Sequence, residues 1–430
     1  MKTISLEPIK KPITRSISLP GSKSLTNRAL IMAALSNGKS IISNASVSVD
    51  SLILIDALKR LGIQIQKKKD RFEIIGNGGN FSKQNRYFNI GHAGTAMRFL
   101  TAVCSLVPGE IILDGSERMR KRPIGELVNA LRKLGGRIEF LKKNGFAPIK
   151  ILGGKLIGGT ISVKGSISSQ FITALLLIGP LLQNGLIIEV IGDQVSKSYI
   201  DMTIGGLKKF GVNVKNQNYQ KYCIDKNQKY TPFHYEVETD ASGASYFLAI
   251  AAVTGKKVKI KNMNTQSVQG DMQFPDLLER MGCSVERNNK ENSITIQGPK
   301  KLKGINIDMN SMPDTIQTLA VVAAFAKGTT KITGTKTLRI KETDRLHALQ
   351  TELLKMNIKT QINDNSILIK GGNPIGATID TYDDHRMAMS FAVAGSKLLG
   401  MKIENPSVVS KSFPEFWKRI RSLGVEIKTI

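Results

Sequence analysis

At 430 residues the chain is longer than one hydrophobic core usually serves, so two or more domains are expected. Its hydrophobic content of 41% suits an ordinary globular protein, and its three cysteines, Cys104, Cys223 and Cys283, lie far apart without metal-ligand spacing, which points to a reducing cytoplasm. A net charge of +28 raises nucleic acid as a partner, but aromatics are only 6% and the basic runs near 67–69, 118–122, 256–261 and 300–303 are separate, so a base-stacking platform is unsupported.

The first 21 residues, MKTISLEPIKKPITRSISLPG, have no apolar core of the secretory kind. SKSLTNRALIMAAL then opens polar and becomes almost wholly apolar, as does a helix buried along its length with only its N-terminus exposed. The same design recurs in AGTAMRFLTAVCSL, SSQFITALLLIGPLL, ASGASYFLAIAAVTG, PDTIQTLAVVAAFAKG and DDHRMAMSFAVAGSKLLG. The most apolar stretch, FITALLLIGPLL, is too short to span a bilayer.

Between these lies a second recurring segment, in which helical apolar spacing is followed by Gly or Asn and then by a β-like alternation. It appears as IDALKRLGIQI, VNALRKLGGRI, IGGLKKFGVNV, DLLERMGCSVE, TELLKMNIKTQ and RIRSLGVEIK. The interval of roughly 70 residues exceeds ordinary solenoid periods and implies a duplicated, domain-sized unit. LRIKETDRLHAL (338–349), taken as one helix, stacks Lys341 over Asp344 and Arg345 and sets Glu342 beside Arg345.

Exposed helix N-termini suit phosphates and carboxylates. Capping by Ser, Thr and Asp explains the polar openings, but not the cations Lys23, Arg28, Arg98 and Arg386 within them, because a buried helix start has no use for an uncompensated charge. LPGSKSLTNRAL lacks the upstream glycine of a P-loop.

LPGSKSLTNRAL instead resembles the signature of the 3-phosphoshikimate 1-carboxyvinyltransferase (5-enolpyruvylshikimate-3-phosphate synthase) family. GHAGTAMRFL, ERMRKRPIGELV, SSQFITALL, VSKSYIDMT, DASGASYFLA, QGDMQFPDLLERMG, RIKETDRL, YDDHRMAM and SKSFPEF continue the match in order along the chain. The resemblance implies an α/β protein of the two-domain enolpyruvyl transferase fold, an inside-out α/β barrel. Each domain would hold three βαβαββ repeats, with the active site in the interdomain cleft. Residues 1–20 would join 240–430 in one domain and 21–239 would form the other, with hinge crossings near 20 and 240.

The implied reaction moves the enolpyruvyl group of phosphoenolpyruvate to the 5-hydroxyl of shikimate 3-phosphate, by addition and elimination through a tetrahedral intermediate. By the same resemblance Lys23, Gly94, Arg122, Gln170, Arg345, Arg386 and Lys411 hold phosphoenolpyruvate, with Gly94 letting ligand approach the backbone. Ser22, Lys23, Arg28, Ser168, Ser169, Gln170, Ser196, Tyr199, Asp314 and Lys341 hold shikimate 3-phosphate. Asp314 is the candidate base, Glu342 the candidate for proton transfer at C3, and Lys23 assists and offsets charge on the departing phosphate; His385 orients neighbours. Three positions depart from the family pattern: His92 and Thr337 where Asn is expected, and Phe99 where Pro is expected.

No cofactor or metal is implied, and the expected partners are the two small-molecule substrates, for a monomer with no nucleic acid or membrane. The alternatives are a UDP-N-acetylglucosamine enolpyruvyl transferase, which uses a loop Cys that DGSERMRKRPIG lacks, and a basic nucleic-acid-binding protein.

Overall fold

The computed structural model describes residues 2–13 and 16–430. The chain divides into two compact units, one made of the described residues of Met1–Pro20 with Glu238–Ile430, the other of Gly21–Val237. Each has its own hydrophobic core, and no residue of one core belongs to the other. Among the described residues no helix is long and apolar enough to cross a membrane.

Among the described residues each unit contains three four-stranded sheets, and each sheet has one parallel pair followed by antiparallel neighbours. The repeat is plainest at Arg86–Asn89, helix Gly94–Cys104, strand Gly109–Asp114, helix Gly125–Lys133 and the hairpin strands Arg137–Phe140 and Ile149–Gly153, a βαβαββ unit. The parallel pair requires a crossover, and helix Gly94–Cys104 supplies it. The N-terminal segment belongs with the C-terminal half because it completes two of that unit's sheets. Thr3–Glu7 lies between Met401–Glu404 and Glu426–Thr429, and Ile17–Ser18 pairs with Lys257–Lys261.

In every repeat one helix is buried almost entirely. For Lys23–Leu35 only Lys23 and Ser24 are partly exposed, whereas Ala241–Thr254 and His385–Gly395 are buried from their first residue, so an exposed N-terminus is not general. In the 238–430 unit three such helices meet through hydroxyls, Ser245 Oγ with Thr318 Oγ1 at 3.3 Å and Thr318 Oγ1 with Ser390 Oγ at 3.4 Å, which satisfies polar groups that apolar packing would strand.

The second helix of each repeat ends where Gly or Asn takes a left-handed conformation, as at Gly135 (φ 100°) and Asn357 (φ 62°). Asn there is strained by about 1 kcal/mol relative to Gly, which is tolerable for a single residue. Gly153 serves differently: a Cβ would stand 2.0 Å from the Val107 carbonyl oxygen, so the strand end lies directly on the end of the buried helix.

The stretch 338–349 is not one helix. A 3-10 turn, Lys336–Ile340, is followed by an extended Lys341, and the α-helix Arg345–Lys355 begins after Asp344, which caps it by accepting from His347 N at 3.1 Å. Asp at the helix start satisfies a free N–H, so the chain restarts there rather than continuing through.

Candidate active site

Glu342, Arg345, Asp314, Asp384, Arg386 and Lys411 form one charged network inside the 238–430 unit. Arg345 is its centre. Its side chain is 1% exposed, and it donates to three carboxylates: Nε to Asp384 at 2.7 Å, Nη2 to Glu342 at 2.8 Å and Nη1 to Asp314 at 3.3 Å. Burial alone would weaken this cation, but Asp384, Glu342 and Asp314 override it and raise the guanidinium further. Arg386 donates from Nη2 to Asp314 Oδ2 at 2.7 Å and from Nη1 to the Asp314 carbonyl at 3.0 Å and Tyr246 Oη at 3.2 Å. Lys411 Nζ stands 3.7 Å from Glu342 Oε1.

These positions follow from local structure. Asp384 is fully buried and caps helix His385–Gly395 by accepting from Arg386 N at 2.9 Å, so one carboxylate orders both the helix start and Arg345. His385 lies beside it, with Nδ1 3.5 Å from Asp384 Oδ1. Asp314 sits in the 3-10 turn Pro313–Thr315 just before helix Ile316–Ala324. Its carboxylate accepts from both arginines, Oδ1 from Arg345 and Oδ2 from Arg386. Burial would raise the Asp314 carboxyl, but Arg386, Lys341 and Arg345 outweigh it and hold the group far below the usual carboxylate range.

In the 21–237 unit the expected residues form linked pairs. Lys23, at the start of helix Lys23–Leu35, donates to Asp50 Oδ2 at 3.0 Å, and Ser22 is that helix's buried cap. Arg28 donates from Nε to Thr203 Oγ1 at 2.9 Å, from Nη1 to the Ser24 carbonyl at 2.9 Å and from Nη2 to the Tyr199 carbonyl at 3.0 Å. Its guanidinium also faces the rings of Phe99 and Tyr199 at 5.7 and 5.9 Å. Burial lowers Arg28 to about 10, with Tyr199 and Tyr235 pulling the other way. Phe99, unexpected at its position, thus forms one wall of the Arg28 pocket.

Ser168 caps helix Ser169–Ile178 by accepting from Gln170 N at 3.2 Å, and Gln170 Nε2 reaches Thr95 Oγ1 at 3.5 Å. Ser169 is buried within that helix. Ser196, with φ 54°, precedes helix Lys197–Lys209 in the left-handed region, unusual for a non-glycine residue. At Gly94 a Cβ would come within 2.4 Å of Arg122 Nη1, so the missing side chain makes room for that guanidinium, where the expectation was room for ligand alone. His92 is exposed, with Nδ1 3.1 Å from Ser116 Oγ, and Thr337 is buried in its 3-10 turn.

Arg98 has a different task from the one its placement suggests. It donates to the carbonyls of Gly94 at 3.2 Å and Pro123 at 2.8 Å, tying the loop after Arg122 to its own helix. Sequence reasoning missed Asp50 and Thr203 and gave Asp384 no role beyond neighbouring His385. Only Asp384 carried a usable signal, an Asp immediately before a helical run.

Comparison with known proteins supplies the frame for this arrangement. A family profile described as EPSP synthase (3-phosphoshikimate 1-carboxyvinyltransferase) matches residues 8–420. A protein named 3-phosphoshikimate 1-carboxyvinyltransferase from Vibrio atlanticus is 43% identical over 433 residues, spanning 99% of this chain and 100% of its own. One of the same name from Sulfurovum sp. is 43% identical over 429 residues, with the same coverage. The solved structure of EPSP synthase from Acinetobacter baumannii matches with a TM-score of 0.84 at 26% identity, covering 100% of both chains.

Proposed function

The chain belongs to the EPSP synthase family, and from that premise we propose which of its residues carry the transfer of the enolpyruvyl group of phosphoenolpyruvate to the 5-hydroxyl of shikimate 3-phosphate. The two substrates together bring about six negative charges near neutral pH, and an excess of buried guanidinium and ammonium groups is the physical answer to them. The observation that carries the assignment is Arg345, buried and shared by three carboxylates beside Arg386 and Lys411.

Arg122, Arg345, Arg386 and Lys411, with Lys23 and Gln170, bind the phosphate and carboxylate of phosphoenolpyruvate. Arg28, Ser22, Ser168, Ser169, Gln170, Ser196, Tyr199 and Lys341, with Lys23, bind shikimate 3-phosphate. Asp314 takes the 5-hydroxyl proton as the oxygen attacks C2, while Glu342 delivers a proton to C3, giving the tetrahedral intermediate. In the second half C3 returns a proton to Glu342, the C2–C3 double bond re-forms as the C2–O bond to phosphate breaks, and the departing phosphate takes up the proton held by Asp314, its charge offset by Lys23. Asp314 is a weak base while Arg386 and Arg345 hold it. An anion arriving on those guanidinia loosens that hold and raises its basicity, so the base is armed by the donor substrate.

The same reading has the chain act as a cytoplasmic monomer without nucleic acid. Phosphate release is measured with phosphoenolpyruvate and shikimate 3-phosphate, beside UDP-N-acetylglucosamine as acceptor. Release is expected only with shikimate 3-phosphate, and Glu342→Gln should lower kcat by roughly 10²-fold or more. Release with UDP-N-acetylglucosamine, or full activity in the variant, overturns the assignment.

A further inference from the structure

The segment QGDMQFPDLLERMG contributes no residue to the roles above, yet it sets a carboxyl against helix Ala241–Thr254, the helix that Arg386 also touches. Gln269 pins it to the start of helix Ala241–Thr254, accepting from Ala241 N at 3.2 Å and donating to the Thr239 carbonyl at 2.8 Å. Ser242, the next residue, donates from Oγ to Asp271 Oδ2, and one turn further along the same helix Tyr246 Oη accepts from Arg386 Nη1 at 3.2 Å. Asp271 is buried, and among the described residues its Oδ1 has no hydrogen-bond partner. A buried carboxylate normally fills both oxygens, so the bare one favours the protonated form.

We propose that Asp271 is a positioning residue for the Asp314–Arg386 pair: by holding or releasing one proton, it sets how strongly Arg386 attracts an anionic substrate. The inference rests on the enolpyruvyl-transfer reading. The charged groups acting on Asp271 are Asp314 from the turn Pro313–Thr315, Arg386 from helix His385–Gly395 and Asp240 from the start of helix Ala241–Thr254. Helix Phe274–Arg280 adds none, because Asp276, Glu279 and Arg280 point to solvent. Burial pushes the Asp271 carboxyl up to about 7; Asp314 and Asp240 add to the rise, and Ser242 and Arg386 oppose it.

The consequence has a definite sign. Arg345, Arg386, Lys341 and Lys411 face Asp314, Glu342, Asp384 and Asp240, a balance that is even while Asp271 is neutral. Ionising Asp271 adds a negative charge beside Arg386 and weakens its hold on an incoming phosphate or carboxylate. Apparent KM for phosphoenolpyruvate therefore rises as pH passes through the neutral range. One buried unit charge acting on Arg386 through an effective dielectric of about 20, partly screened, gives roughly a three- to tenfold change.

The test uses the full chain in three forms: unaltered, Asp271→Asn and Ser242→Ala. Aspartate side-chain carboxyl ¹³C NMR of the unliganded protein should show one resonance titrating in the neutral range that Asp271→Asn lacks. KM for phosphoenolpyruvate at saturating shikimate 3-phosphate should rise with pH in the unaltered chain relative to Asp271→Asn, whose side chain stays neutral. The substrate's own ionisation is common to both and cancels. Ser242→Ala removes a donor to the carboxylate and should shift the break to higher pH, which keeps the idea testable if Asp271→Asn folds poorly. Asp271 titrating in the ordinary carboxylate range overturns the proposal, as does a pH dependence of KM identical in all three forms. Absence of phosphate release from the unaltered chain overturns the enolpyruvyl reading instead, and the NMR titration still decides the charge state of Asp271.

Discussion

Asp384→Ala is the most informative perturbation of the charged network, because one buried carboxylate has two jobs. It accepts from Arg345 at 2.7 and 3.3 Å and from Arg386 N at 2.9 Å, and its side chain is 0% exposed. Removing one partner of a buried ion pair costs about 3–5 kcal/mol, and losing a helix cap about 1 kcal/mol. Arg345 keeps Glu342 and Asp314, which retains part of its compensation, so a net loss of about 3 kcal/mol is expected. Urea unfolding can be followed through Trp417, the only tryptophan in the chain, which packs against the core of the 238–430 unit. The midpoint should fall by roughly 1–2 M with the slope unchanged. Asp384→Asn, which keeps an acceptor for Arg386 N, should fall between the two. A loss under about 1 kcal/mol for Asp384→Ala would refute the claim that this carboxylate compensates Arg345.

Further outcomes follow from single contacts. Gly94→Ala puts a methyl 2.4 Å from Arg122 Nη1, the flexible end of a side chain. Stability should change by less than about 1 kcal/mol, while KM for phosphoenolpyruvate rises several-fold in steady-state kinetics. Gly153→Ala meets backbone oxygens at 2.0 and 2.4 Å, which cannot move aside, and should cost several times more in urea unfolding. Asp271, raised to about 7, keeps a proton that the unfolded chain releases near pH ~4, so stability falls as pH rises between these values, and Asp271→Asn should flatten that slope. Asp314, held far below the usual range, has the opposite sign: its contribution is present above the ordinary carboxylate value and is lost as pH falls below it. Burial raises the Cys104 thiol and pushes Cys283 up to about 12, so a thiol reagent at neutral pH should label Cys223 first.

Much of the architecture was legible in the amino-acid order because its cues are local. A left-handed C-terminal residue needs Gly or Asn wherever the repeat occurs, so Gly135 and Asn357 announced their helix ends without tertiary context. The six apolar helices were readable for the same reason, since a helix with no polar face has to be buried. Of the cations read at helix starts, Arg386 lies within the buried charged network.

What the order of residues does not encode locally is which distant groups share a charge. Arg345 and Asp384 are 39 positions apart, and Arg28 and Thr203 are 175 apart. Nothing in either neighbourhood announces that Arg28, proposed to bind shikimate 3-phosphate, also donates to Thr203 and to the Ser24 and Tyr199 carbonyls. Arg98 is a further case, since the Pro123 carbonyl to which it donates lies 25 residues away. The break in LRIKETDRLHAL was likewise a contest between helical charge spacing and the capping of His347 N by Asp344, won by the cap. Helix ends and repeat boundaries depend on neighbours in sequence and were set there. Compensation of buried charge depends on neighbours in space, and only the packed structure decided it.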